Sequence, residues 1–246
     1  MAPTKSSGKS SGPDTRQIVT AYLGLLAEGP LEEATLGRLA ERAEISLGDL
    51  RARFSGRAAL IAAFAAMIDE EVLAERDPDM AGQPAHDRLF DVLMTRLDKL
   101  EPYKEGIRSL MAGVRRDPAL ALEVNCIAVR SQAWMLTAAG ISLPGLRGSL
   151  VTQGLAVSFA KVVATWLAEE DPGMPRTMAK LDRELDRGED WLKRLDKAEV
   201  LAGRLGRLAC RLRKAGRRMS SKRRPRWAEE TDLGTGVPGD DAVAGA

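Results

Sequence analysis

The chain has 246 residues, 37 basic and 35 acidic side chains, 4% aromatics, one histidine and two cysteines. That length buries a sizeable core. The lone His86 and the separated Cys126 and Cys210 cannot assemble a zinc site, a redox CxxC or a Cys/His nucleophile, and no phosphate-binding glycine loop is present, so neither an enzyme nor a cofactor is expected. No apolar run approaches the roughly 18 residues that span a bilayer. The opening MAPTKSSGKSSGP lacks the apolar stretch of a secretory signal. A reducing cytoplasm is therefore the expected compartment.

Apolar residues recur at spacings of three and four, with few alternating runs of Val, Ile or Thr, which predicts an all-α fold. Residues 1–13 read as a disordered, weakly basic arm. Asp14–Glu28 forms the first helix, with Ile18, Tyr22, Leu25 and Leu26 inward and Gly29-Pro30 closing it. In the next segment Thr35 caps a short helix whose inner face is Leu36, Leu39, Ala40 and Ala43. Ser46 opens another, Ser46-x-x-Asp49 reads as a capping box, and Leu50 and Phe54 continue the apolar face. Only Glu44 and Ile45 separate the two, so they must cross steeply as a helix-turn-helix. That geometry can place the second helix in a DNA major groove.

Gly56–Arg76 is a helix with a broad apolar face, and Asp77–Pro84 a break. Helices follow over residues 85–100, 104–115 and 118–139, the last ended by Gly140. The loop 141–148 leads to a long helix, Ser149–Glu169, apolar nearly all round and suited to a central or interface position. Glu169, Glu170 and Asp171 read as a solvated helix end, residues 176–195 as a charged amphipathic helix, and His86 as a surface residue. The expected organisation is a reading head at 14–57, a helical body at 58–198, a basic amphipathic helix at 199–227 and a disordered tail at 228–246.

Charge is distributed unevenly. Residues 200–227 carry eleven basic side chains and no acid, which leaves 26 basic against 35 acidic elsewhere. Residues 1–57 hold eight basic and seven acidic groups, near neutral for a domain expected to meet phosphate. Within the basic segment Leu201, Leu205, Leu208, Leu212, Ala215 and Met219 form a narrow seam. Arg204, Arg207, Arg211, Arg213, Lys214, Arg217 and Arg218 surround it. Such a helix suits an anionic membrane surface through residues 200–219, docking on the body, nucleic acid, or plain solvation.

The strings Ala43-Glu44-Ile45-Ser46 and Leu50-Arg51-Ala52-Arg53-Phe54, followed by Arg57, resemble the N-terminal domain of the TetR family of transcriptional regulators over residues 16–66. The resemblance implies a homodimer on a double-stranded DNA operator, with a small hydrophobic effector bound in the body. It assigns DNA contact to Thr35, Arg38, Ser46, Leu47, Gly48, Asp49, Arg51, Ala52, Arg53 and Arg57. There are three departures from the family pattern: Glu44 stands where Gly is preferred, Asp49 replaces a small hydroxyl residue, and Arg51 and Arg53 replace aromatic positions.

A second resemblance covers residues 103–191. Gln132-Ala133-Trp134, Thr165-Trp166-Leu167-Ala168-Glu169-Glu170-Asp171-Pro172 and Thr177-Met178-Ala179-Lys180-Leu181-Asp182 look like the lipid-binding accessory proteins of coenzyme Q biosynthesis, which share the TetR fold. It implies an isoprenoid-like ligand in an apolar cavity near Met111, Trp134, Met135, Phe159 and Trp166. Aromatic and methionine side chains at helical spacing equally suit plain core packing. This gives the alternative function: a non-DNA-binding lipid carrier of ubiquinone biosynthesis, docked on membranes by its C-terminal helix.

Overall fold

The computed structural model describes residues 13–194, which are helical and contain no strand. In chain order they form α1 (Thr15–Glu28), α2 (Leu36–Arg42), α3 (Leu47–Arg53), α4 (Arg57–Ala74), α5 (Ala85–Leu100), α6 (Lys104–Val114), α7 (Pro118–Ala138) and α8 (Gly145–Leu167). A further helix, α9, spans residues 175–194. The break after α4 holds a 3-10 turn, Pro78–Gly82, which Asp77 caps through the Asp79 N–H. The basic segment 199–227, with Arg204, Arg207, Arg211, Arg213, Lys214, Arg217 and Arg218, lies outside the described residues, as do residues 1–12 and 228–246.

Local chemistry explains the helix ends. Asp14 caps α1 by accepting the Gln17 N–H at 2.7 Å, while the Gln17 side chain accepts the Asp14 N–H at 2.8 Å, a complete capping box. Asp117 caps α7, with Pro118 at its first position. Gly140, at φ 67°, ends α7, its N–H on the Thr137 carbonyl and the Ile141 N–H on the Leu136 carbonyl. α8 begins four residues before the expected Ser149. Gly148 permits this, because a Cβ there would sit 2.0 Å from the Leu143 carbonyl oxygen.

α8 also corrects an expectation: at 23 residues it is long and apolar enough to cross a membrane by length and composition. Its Phe159, Val162 and Trp166 nevertheless pack into the core. That core runs from head to body without a break at residue 57, from Ile18, Tyr22 and Leu39 through Leu60 and Ile68 to Leu97, Met135 and Trp166. α6 packs closely on α1 and the turn that follows it. A Cβ on Gly106 would stand 2.6 Å from the Leu23 carbonyl oxygen, and one on Gly113 would overlap the Leu31 side chain at 2.2 Å. Ser109 Oγ donates to the Gly29 carbonyl at 2.7 Å. Arg16 pairs with Glu71 of α4, and Phe64 meets Tyr103 edge to face at 5.2 Å.

At the centre of the body, Arg96 of α5 forms a buried ion pair with Asp69 of α4. Ser131 of α7 donates to the same Asp69 oxygen at 2.7 Å. The Arg96 guanidinium also reaches Met135 Sδ at 3.6 Å and lies 5.9 Å from the Phe159 ring centre. Arg96 Nε and Gln132 Oε1 are buried without a partner.

Three further polar residues tie the last helices down. Glu169 is buried rather than solvated: it accepts the Arg176 N–H at 2.9 Å and the Thr177 N–H at 2.7 Å, capping α9. Burial pushes its carboxyl up, but the Thr177 hydroxyl and these backbone donors outweigh that and hold it below its ordinary value. His86, expected at the surface, is half-buried beneath exposed aspartates. Its Nδ1 lies 3.1 Å from Asp87, and its Nε2 lies 3.7 Å from both Asp182 and Asp186 of α9. Glu184 of α9 is buried against Lys161 of α8, Lys180 and Arg187. Burial opposes its charge, yet the lysines bring the carboxyl from 4.5 down to about 2.

Two outcomes follow from this packing. Replacing Gly106 by alanine should cost about 1–3 kcal/mol in chemical denaturation, because the contact across it is backbone that cannot step aside. The depressed Glu184 stabilises the fold fully above pH 4.5, and that contribution is lost as pH falls through about 2. Glu184→Gln should therefore lower Tm at neutral pH, with the gap from the natural chain closing between these two values; a pH-independent gap would show that the charge is not the cause.

Candidate nucleic-acid interface

The helix-turn-helix forms as the spacing predicts, and its turn is a Schellman motif. The Ile45 N–H reaches the Ala40 carbonyl at 3.0 Å, and the Glu44 N–H reaches the Glu41 carbonyl at 3.2 Å. Glu44 takes φ 53° at the position where this motif favours glycine. Ile45 packs on the core, which fixes how α3 leaves α2.

Thr35 caps α2 by accepting the Arg38 N–H at 3.3 Å. Ser46 caps α3 by accepting the Asp49 N–H at 3.0 Å. The capping box is formed differently from expectation: the Asp49 carboxylate accepts the Ser46 hydroxyl at 2.7 Å rather than reaching back to a backbone N–H. Asp49 is thus engaged by the helix end it helps to build.

Leu50 and Phe54 are buried and anchor α3. Leu47, Gly48, Arg51 and Ala52 form the opposite face, and all four are exposed, Leu47 at 59%. This is the face a recognition helix presents to base edges. Among the assigned basic residues the structure separates those that are free from those in use. Arg51 is exposed. Arg38 donates to the Glu33 carbonyl at 3.1 Å and lies 3.6 Å from its carboxylate. Arg53 donates to the Pro13 carbonyl, forty positions away. Arg57 is half-buried and donates to the Leu31 carbonyl at 3.4 Å. It lies beside Tyr22, whose hydroxyl is pushed up by burial and partly brought back by this cation.

The residues expected around a ligand are not gathered into one cavity. Met135, Phe159 and Trp166 are buried in the core, Met111 is partly buried, and Trp134 is 52% exposed. Trp134 lies one position off the inward face that carries Ser131 and Met135, a rotation of about 100° on a helix. Trp166 spends its indole N–H on Glu101 at 2.9 Å, with Lys104 4.9 Å from its ring centre. Open space lies elsewhere. A cleft of about 170 Å³ is lined by Arg76, Asp77, Met80, Arg88, Val92 and Ala138, and a wider one of about 440 Å³ by Thr165, Arg176, Lys180 and Arg183.

Relieving the turn gives a direct check on its geometry. Glu44→Gly should stabilise the protein by about 1 kcal/mol, since the φ of 53° then carries no side-chain penalty. A rise of about 2–4 °C in Tm is expected for a domain of this size. A loss of stability would show that the left-handed turn is not what the residue experiences in solution.

No family model matches the sequence, and no curated protein does. Solved structures do resemble it. A TetR transcriptional regulator from Nitrosomonas europaea superposes with a TM-score of 0.57 at 21% identity, covering 72% of this chain and 98% of its own. A TetR transcriptional regulator from Rhodococcus sp. RHA1 gives a TM-score of 0.54 at 18% identity, covering 70% and 93%. With an all-helical order, a capped helix-turn-helix and a helical body, the chain has the fold of the TetR transcriptional regulators.

Proposed function

We propose that the protein is a DNA-binding transcriptional regulator that acts as a homodimer and responds to a small molecule in its helical body. The observation that carries this reading is α3, anchored inward by Leu50 and Phe54 and capped by Ser46, with Leu47, Gly48, Arg51 and Ala52 open to solvent. Thr35, Arg38, Ser46, Asp49, Arg53 and Arg57 border that face, as capping or positioning groups around the reading helix. Arg51 is the candidate for direct base recognition, because a guanidinium suits the paired acceptors of guanine.

A dimer is supported by α8. Leu150 and Val157 are 47% and 46% exposed, and Gly154 between them is exposed too, so one face of the helix is apolar and left uncovered by the described residues. Two copies joined there present two α3 helices to successive turns of one face of DNA. The effector reading is modified by the clefts described above: both are edged by arginine and other charged side chains, which suits a small ligand with polar groups. The lipid-carrier alternative gains no support from them, since both clefts are edged by charged side chains.

Recovery and sequencing of the DNA bound in cells is the experiment of choice, because a regulator predicts a defined recurring site. On that site Arg51→Ala should weaken binding by about 1–3 kcal/mol, roughly five- to 150-fold, and relax the preference at one position per half-site. Recovery of no enriched sequence would overturn the reading.

A further inference from the structure

We propose that the cleft between the end of α8 and the start of α9 binds a small oxygen-rich anion carrying two or more negative charges, a phosphate-bearing molecule or a polycarboxylate. The proposal names a ligand class for the small-molecule reading above and rests on that reading for its consequence at DNA. The cleft holds about 440 Å³, within the range of small-ligand sites. Among its described lining residues are Arg176, Lys180 and Arg183 of α9, with Thr165 of α8, and no carboxylate. Pro175 and Ala179 are its apolar lining, too little area to hold an apolar ligand in a wide cleft. Charge is therefore what it offers.

The sequence sorts α9 by charge. Arg176, Lys180, Arg183 and Arg187 recur at spacings of 4, 3 and 4. On a helix that turns about 100° per residue, they fall within a strip of about 60°. Asp182 and Asp186 lie on the other flank, where both approach His86 of α5 at 3.7 Å. The buried side between the flanks carries Thr177, Leu181, Glu184 and Leu185. Cations thus gather toward α8 and acids toward α5, so the field in the cleft is not cancelled by the acids of its own helix.

Buried Glu184 organises the site from beneath. Its carboxylate accepts from Lys180 at 2.9 Å, from Lys161 of α8 at 3.3 Å and from Arg187 at 2.6 Å, three cations against one charge. Lys180 has three N–H donors and spends one there, so it can hold Glu184 and an anion together. Already held by Glu184, it loses less freedom when an anion binds. Arg183 is exposed. Arg176 is exposed beside Glu169, whose oxygens already accept the Arg176 and Thr177 N–H groups and the Thr177 hydroxyl. Both guanidiniums present forked donors that match carboxylate or phosphate oxygens.

Isothermal titration of the full chain tests this at a constant ionic strength of about 0.1 M, where attraction beyond about 10 Å is screened. Pyrophosphate and citrate are the two probes. The natural chain is compared with Arg176→Ala/Arg183→Ala and with Arg211→Ala/Arg213→Ala, a charge-matched control in the basic segment, and Tm is recorded for each. The expected result is saturable binding of one probe or both, unaltered in the control. In the cleft variant affinity falls at least about tenfold, through loss of two charge-assisted bonds, while Tm stays the same. Binding of pyrophosphate alone identifies a phosphate-bearing ligand, and of citrate alone a polycarboxylate. No saturable binding of either probe overturns the proposal. So does equal affinity in the natural chain and the cleft variant, or an equal loss in the cleft variant and the control. None of these outcomes touches the DNA recovered from cells, whereas the absence of an enriched sequence removes the regulator reading and leaves the titration standing.

Discussion

The close contact of α1 with α6 sets where the helix-turn-helix sits. Gly106 lets the α6 backbone approach the Leu23 carbonyl, Gly113 makes room for Leu31, and Ser109 bonds the Gly29 carbonyl at the end of α1. α4 holds α1 from its other side through the Arg16–Glu71 pair. Clamped by two body helices, α1 carries α2 and α3 with it. The head is thus not hung on a loose joint at residue 57. In close-packed protein such a joint transmits displacement rather than absorbing it. In the regulator proposed above, a ligand shifts the head only through its differential affinity for two placements of the body helices.

The buried Asp69–Arg96 pair plays the matching part inside the body. Removing two charges from water is costly, and their attraction offsets that cost only when the remaining donors and acceptors find partners. Ser131 supplies one such partner for Asp69, and Met135 and the Phe159 ring border Arg96. Arg96 Nε and Gln132 Oε1 remain unmatched. The pair thus fixes the register of α4, α5 and α7 more than it stabilises them, because a slip along any one would leave a charge buried alone. It also fills space that the aromatic spacing of α7 and α8 had suggested for an apolar ligand.

What the sequence disclosed divides along one physical line. Caps and turns act over three or four residues, so Thr35, Ser46 and the strained Glu44 were all readable. Helix bounds came within a few residues for the same reason. Contacts between distant segments had no such signal. Arg53 on Pro13, Glu169 as the cap of α9 and His86 among three aspartates depend on how helices are placed, not on their own composition. Periodicity identified an apolar side to α7 but not its edge, so Trp134 looked like a lining residue while standing on the solvent side. The Asp14–Gln17 capping box was local and could have been found: Asp-x-x-Gln ahead of an apolar run is its signature.

The head's near-neutral charge becomes intelligible once its arginines are located. Arg38 and Arg42 secure α2 to its surroundings, Arg16 fastens α1 to α4, and Arg57 buttresses the carbonyl of Leu31 at the entrance to α2. These cations build the shape of the reading head and are not free to neutralise phosphate. A basic tally of the sequence therefore overstates the charge available to DNA, and a neutral net charge does not measure it either. What matters is which cations lack an internal partner and which face they occupy. By that criterion the exposed side of α3 is sparsely charged but well shaped. In the regulator proposed above, such a surface selects among sequences by fit, and a second copy supplies further contacts. Shape follows from caps and turns that act locally, whereas available charge depends on partners far away in sequence, which is why the fold was easier to read than the charge its surface presents.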